Sequence, residues 1–452
     1  MTSSREPLPA GARVPGAAMS RLRLFPARLR ASGFARGAAK LGTGAALAQL
    51  VGISATPVLT RLYGPENYGL AASFIAVVAI LGPSAALRYE QAIVRADSED
   101  DAARLVELSL GLAAAVALAA AVAAGAAWLF APGLAGRGPG WLVLLVPPAA
   151  AATAAAGIAA AWANRHARYG VLGATRLATS AAAPLVSLAA FAAAGSTAAG
   201  LVFGAVAGPL AGAGLSLWLL RRTHAPLPAP VLARGRWSGV ARRFRQFPRF
   251  NLPMTVLEQA TMALPVLVFA AAFSPQAAAW FALASSVLRL PAGLVGQAVG
   301  QVFYERASRL RASRAELARL LRGMVMGTVP LAALMVLVLV PFAPALFAAA
   351  FGAEWREAGE YARYISLAAA LTLVTSPISS LPSVLDRQHV HLTISLAAYA
   401  ARAGAIAAGM AAGSPVLAVA LYSVGEAVVN LAFLAWLWRL VAAPAPAPPA
   451  GA

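Results

Sequence analysis

A chain of 452 residues with 60% hydrophobic and only 12% charged side chains, at a mean hydropathy of +0.73, is too apolar for a water-soluble fold, in which roughly a quarter of residues are charged. Its net charge of +20 does not mark a nucleic-acid partner, because the basic residues are dispersed among hydrophobic runs rather than gathered in one basic unit. Cysteine is absent, which excludes disulfides, thiolate zinc sites and dithiol redox chemistry.

Residues 1–38 read as a disordered basic arm, rich in Arg, Pro and Gly (Arg21, Arg23, Arg28, Arg30, Arg36). The apolar run that follows is of full span length and lacks a cleavage site, so the arm is not a signal peptide. Met19, ahead of an Arg-rich stretch, is an alternative start. Apolar runs long enough to cross about 30 Å of hydrocarbon then recur to the end of the chain. They predict helices near 39–60, 68–92, 104–131, 140–163, 171–194 and 198–220, a first lobe over 39–221. A basic connector at 222–248 (Arg234, Arg236, Arg242, Arg243, Arg245) precedes spans near 249–273, 277–303, 320–350, 359–385, 390–411 and 415–439, a second lobe over 249–440. An Ala/Pro-rich tail fills 441–452. The fold class is therefore all-α and membrane-embedded, with about twelve spans in two six-helix lobes.

Placing both termini in the cytoplasm assigns about 30 of the 36 basic residues to cytoplasmic segments. Arg61, Arg137, Arg356 and Arg363 fall in external loops. Those loops are short, which argues against a membrane enzyme with an external catalytic loop. No GxxxxGK[ST] segment is present, so no intrinsic nucleotide motor is expected.

The lobes have equal span number and equal orientation, as expected of a duplication. Weak local similarity links Arg88-Tyr89-Glu90-Gln91-Ala92 to Phe303-Tyr304-Glu305-Arg306-Ala307. Many spans carry an internal proline, among them Pro83, Pro184, Pro265 and Pro291, which favours kinks and cavity walls.

An ionised group at mid-bilayer costs roughly 2.5–3.5 kcal/mol and needs a partner, a wet cavity or a function. Glu258, Arg289, Arg402 and Glu426 fall near predicted midplanes, Arg88 and Glu90 in the inner part of the second span, and Arg176 about one turn inside the fifth. Glu258 with Arg289, and Arg402 with Glu426, are either packing salt bridges or the charges of a hydrated cavity that also holds Asn251, Gln259, Gln297 and Gln301. On an α-helix Glu90 points some 200° from Arg88, leaving that guanidinium to a ligand or another helix. An anion is the natural guest, and a pyrophosphate matches the forked donors of guanidinium.

The run LTRLYGPENYGLAASFIAVVAILGPSAALRYEQAIV from Leu59 to Val94 resembles the first helical hairpin of Wzx-type polysaccharide flippases, in the multidrug/oligosaccharidyl-lipid/polysaccharide exporter superfamily. AWANRHARY, QVFYERA, FGAEWREAGEYARYIS and LDRQ follow in the family's order, so the resemblance covers about residues 40–440. It implies a V-shaped bundle in the bacterial inner membrane that moves an undecaprenyl-diphosphate-linked oligosaccharide by alternating access, alongside a polysaccharide polymerase and glycosyltransferases. Arg61, Arg88 and Arg289, with Arg176 and Arg402 adding to a cationic cavity, would hold the head group; Glu258, or else Glu90 or Glu426, would couple a proton or sodium ion. No metal or cofactor is implied. The nearest alternatives are a lipid II flippase or drug exporter of the same superfamily, and a membrane enzyme of polysaccharide assembly.

Overall fold

The computed structural model describes residues 33–130, 139–222, 237–311 and 313–442. Most of the arm, residues 223–236 of the connector and all but the first two residues of the tail lie outside them.

All described secondary structure is helical. The first helix, α1 (Gly33–Ser84), would be about 78 Å long if straight, more than twice a membrane's hydrocarbon thickness. It is instead broken at Gly64, whose φ of 69° and ψ of 169° only a residue without Cβ adopts freely. The two arms, 33–63 and 65–84, are separate crossings. The remaining membrane-length helices are α2 (Glu99–Phe130), α3 (Val146–Arg165), α4 (Tyr169–Ala194), α5 (Ala198–Arg222), α7 (Leu252–Ala272), α8 (Pro275–Arg309), α9 (Arg314–Phe351), α10 (Arg356–Thr375), α12 (Gln388–Ala411) and α13 (Pro415–Ala442). Among the described residues eleven helices are long and apolar enough to cross a membrane, and the fold in α1 makes twelve crossings of them. Two short α-helices add to these: α6 (Trp237–Arg243), inside the segment expected to be the basic connector, and α11 (Leu381–Val384).

The crossings form two groups. Helices α2 to α5 pack among themselves and on α1, whereas α7 to α13 pack among themselves and meet the first group through α1. Matching crossings of the groups share their turns. The turn from fourth to fifth crossing pivots on Ala167 (φ 52°) and that from tenth to eleventh on Asp386 (φ 54°). Gly195 (φ 71°) and Gly413 (φ 63°) pivot the fifth-to-sixth and eleventh-to-twelfth turns. A non-glycine left-handed residue is unfavourable enough that its recurrence at equivalent turns supports duplication. The segment pair expected from sequence to show the repeat does not: Phe303–Ala307 continues α8, while Tyr89–Arg95 is a 3-10 turn outside the second crossing.

That turn corrects the expected second span, which ends at Ser84 rather than residue 92. Leu87 and Arg88 take positive φ of 49° and 64° and reverse the chain. The connector then docks on this end of the first group: Arg243 bonds Asp97 and, at 2.9 Å, Asp101, Trp237 Nε1 donates to Glu107, and Val240, Phe244 and Phe247 enter the core around Tyr89, Leu105 and Trp162. We call this the connector end of the bundle and the other the distal end.

A cleft between the helix groups and a polar cavity beside it

At the distal end the two groups are in direct contact. Trp355, 1% exposed, donates from Nε1 to Thr60 O at 3.1 Å and meets Tyr68 edge to face at 5.2 Å. Arg61 Nη2 donates to Ala349 O at 2.5 Å, and Thr60 Oγ1 to Phe351 O at 3.4 Å. Gly69 lies so close to Pro275 that a Cβ on it would fall 1.8 Å from the proline carbonyl oxygen. These contacts close the cleft on that side.

Beneath them lies a cavity of about 480 Å³ between the arms of α1, α4, α7 and α8. Its walls are small or apolar residues with hydroxyls from Thr56, Ser180, Ser187, Ser285 and Ser286, and its one charged lining residue is Arg289. No ion pair or side-chain hydrogen bond reaches Arg289 among the described residues, and its side chain is exposed to the cavity. Glu258 lies one turn from Met262 on the same face of α7, toward the connector end, and is also exposed. The Glu258–Arg289 salt bridge open from sequence does not form.

A second cavity of about 190 Å³ shares Met262, Ser285 and Arg289 with the first. Arg402, Tyr422, Glu426 and Thr372 complete its polar lining. Here the other sequence-predicted pair is present: Arg402 Nε lies 2.5 Å from Glu426 Oε2, with side chains 14% and 15% exposed. The rings of Tyr399 and Tyr422 flank the guanidinium at 5.5 and 6.0 Å. Asn430, one turn beyond Glu426, donates to Glu426 O at 2.9 Å and to Glu426 Oε1 at 3.4 Å, and accepts from Thr375 Oγ1 at 2.6 Å. Sequence reading missed Asn430, although a lone amide four residues after a carboxylate in an apolar span was the available signal.

The other candidates lie elsewhere. Arg61 is a distal strap between the groups. Arg88 and Glu90 pair with each other at 3.1 Å, because the left-handed turn replaces the α-helix that would have held them apart. Burial raises the Glu90 carboxyl above the usual carboxylate range, opposed in part by the Arg88 guanidinium. Arg176 is exposed in α4 and lines neither cavity. Asn251 donates to Gln91 Oε1 at 2.7 Å near the connector. The family-like motifs prove to hold ends of helices: Arg165 ties α3 to Glu99 and to the carbonyls of Ile93 and Ala96, and Asp386 bonds Arg311.

Two matched sextets of crossings around a closed-off cleft are the fold of exporter-superfamily transporters. The lipid II flippase MurJ, in an inward closed conformation, superimposes with a TM-score of 0.67 over 88% of this chain and 87% of that one, at 13% identity. A Vibrio cholerae MATE transporter, VcmN, gives 0.56 over 90% and 97% at 15% identity, and an exporter-superfamily transporter from Pyrococcus furiosus 0.56 over 91% and 97% at 13%. No curated protein matches the sequence. The family of polysaccharide biosynthesis proteins matches residues 58–360, most of the chain, and the chain belongs to that family.

Proposed function

We propose that the protein is a flippase that carries undecaprenyl-diphosphate-linked oligosaccharide units across the bacterial inner membrane for polysaccharide assembly. The observation that carries this reading is Arg289, an unpaired cation on the wall common to both cavities of a polysaccharide biosynthesis family member. A cation without a counter-charge inside a bundle of apolar helices is costly unless an anion completes it. A diphosphate does so with forked hydrogen bonds. The sugar hydroxyls need a polar path, which the serine and threonine lining of the cleft supplies. The prenyl chain stays in lipid.

Basic residues favour the connector end in the cytoplasm, so the closed distal end faces outward and the cleft accepts substrate from inside. Outward movement of an anionic head group is favoured by a negative-inside potential, about 2.3 kcal/mol per charge per 100 mV. A proton or sodium ion is coupled to the cycle. Glycosyltransferases supply the substrate and a polymerase consumes it. Arg289 is the head-group residue we assign first; Arg402 is available to the same cavity once released from Glu426. Arg61, Arg88 and Arg176 are left out of this assignment because none lines either of these two cavities.

The test is deletion of the gene with add-back. Cytoplasm-facing lipid-linked oligosaccharide should accumulate, and be cleared by the wild type but not by Arg289→Ala. Export of the lipid-linked unit without polymerisation in the deletion strain would instead favour an assembly enzyme.

A further inference from the structure

We propose that the Arg402–Glu426 pair is a partner-exchange switch that binds one proton for each diphosphate admitted to the second-lobe cavity. The inference rests on the head-group reading above and assigns the coupling step to one carboxyl.

The charge count of the cavity is the starting point. The charged and titratable groups facing Glu426 are Arg402 and Tyr399 from α12, Arg289 from α8 and Tyr422 on its own helix. Helix α10 adds the hydroxyls Thr372 and Thr375, and α9 meets α13 through apolar residues such as Leu321 and Phe433. Glu258 on α7, exposed and without an ion partner among the described residues, is absent from the lining of this cavity. Empty, the cavity therefore holds two guanidinium groups and one carboxylate. A diphosphate esterified at both ends carries one negative charge on each phosphate. Its arrival with Glu426 still ionised would leave a net negative charge in a confined, mostly apolar space, and with Glu426 protonated the charges cancel. Burying an uncompensated charge is far costlier than neutralising a carboxylate with a proton.

The geometry gives the route. Arg402 is held to Glu426 through Nε alone at 2.5 Å, which leaves its two terminal nitrogens as the forked donors that match phosphate oxygens. Arg289 already lines the same cavity and provides the first contact. As the diphosphate engages Arg289 and then Arg402, Glu426 loses its counter-charge and takes a proton from water in the cleft. Asn430 is placed to hold the carboxyl in either state, because its amide already lies 3.4 Å from Oε1 and an amide both donates and accepts. Release of the head group on the far side returns Arg402 to Glu426 and expels the proton there. Substrate and proton then move together through one cavity.

Calorimetry on the full chain in lipid nanodiscs tests this, using a synthetic short-chain prenyl-diphosphate-linked N-acetylhexosamine as probe. Titration near neutral pH in buffers of different ionisation enthalpy reads protons taken up per probe bound. The wild type should take up close to one. Glu426→Gln should still bind the probe with no uptake, and Arg402→Gln should bind several-fold more weakly, also without uptake. Binding by the wild type without proton uptake, or uptake unchanged in Glu426→Gln, overturns the exchange while leaving the head-group site standing. Failure of the wild type to bind the probe overturns the head-group reading and the exchange with it.

Discussion

Replacing Glu426 by Ala leaves Arg402 and Arg289 facing one cavity with no carboxylate between them. Removing one partner of a buried ion pair costs about 3–5 kcal/mol. With the pair 14% and 15% exposed, the lower end applies, so Glu426→Ala should cost about 3 kcal/mol. Arg402→Ala should cost less, about 1–2 kcal/mol, because the orphaned carboxylate keeps its Asn430 contact, shares its cavity with Arg289 and can be neutralised by a proton. The double replacement Arg402→Met with Glu426→Leu removes both charges and should fall within about 1 kcal/mol of the wild type. Equilibrium unfolding of the full chain in mixed micelles with increasing dodecyl sulfate provides the order. An Arg402→Ala loss equal to that of Glu426→Ala, or a double variant as unstable as the sum of the two single variants, would refute this account of the cavity's charges.

Three further outcomes are expected. Trp355→Phe keeps a ring against Tyr68 but loses the bond to Thr60 O, about 1 kcal/mol of distal closure; a single cysteine at Thr56, in a chain that has none, should label faster with an impermeant thiol reagent from the distal side. Gly69→Val should raise that labelling more, since even a Cβ would overlap the Pro275 carbonyl; unchanged labelling would mean the distal contacts are not a closure. Glu90 has a carboxyl pKa raised in the folded state, so the folded protein binds more protons than the unfolded chain, and stability should fall as pH rises from the unfolded carboxylate value through the raised one. Glu90→Gln should flatten the acid side of the stability profile, which thermal unfolding between pH 4 and about 7 reads out.

The number and approximate position of the crossings were legible in the chain, because transfer into hydrocarbon is summed over contiguous residues and needs no knowledge of neighbours. Ten of the twelve expected spans begin and end within about six residues of a helix, but the second and tenth overshot: the second because Ala85–Ala92 holds good helix formers and only the left-handed backbone at Leu87 and Arg88 stops it, the tenth because α10 ends at Thr375 and a 3-10 turn and the short α11 follow. The Arg402–Glu426 pair was also foreseeable, since both fall near the middle of consecutive spans.

What tertiary structure alone decided is which charges meet. Arg88 and Glu90 are two residues apart and pair only because the chain leaves the α-helix there. Glu258 and Arg289 sit on consecutive crossings yet stay apart, and Arg289 instead shares a cavity with residues more than a hundred positions away. Arg61 lies in a family-like motif but straps the distal end. A hydrophobic run is a local, additive property of sequence, whereas a charge pair depends on helix rotation, on turns and on which neighbour the bundle places across the gap. The apolar runs therefore set the crossings, and the packing of α8, α10, α12 and α13 brought Arg289, Arg402 and Glu426 to the wall of one cavity.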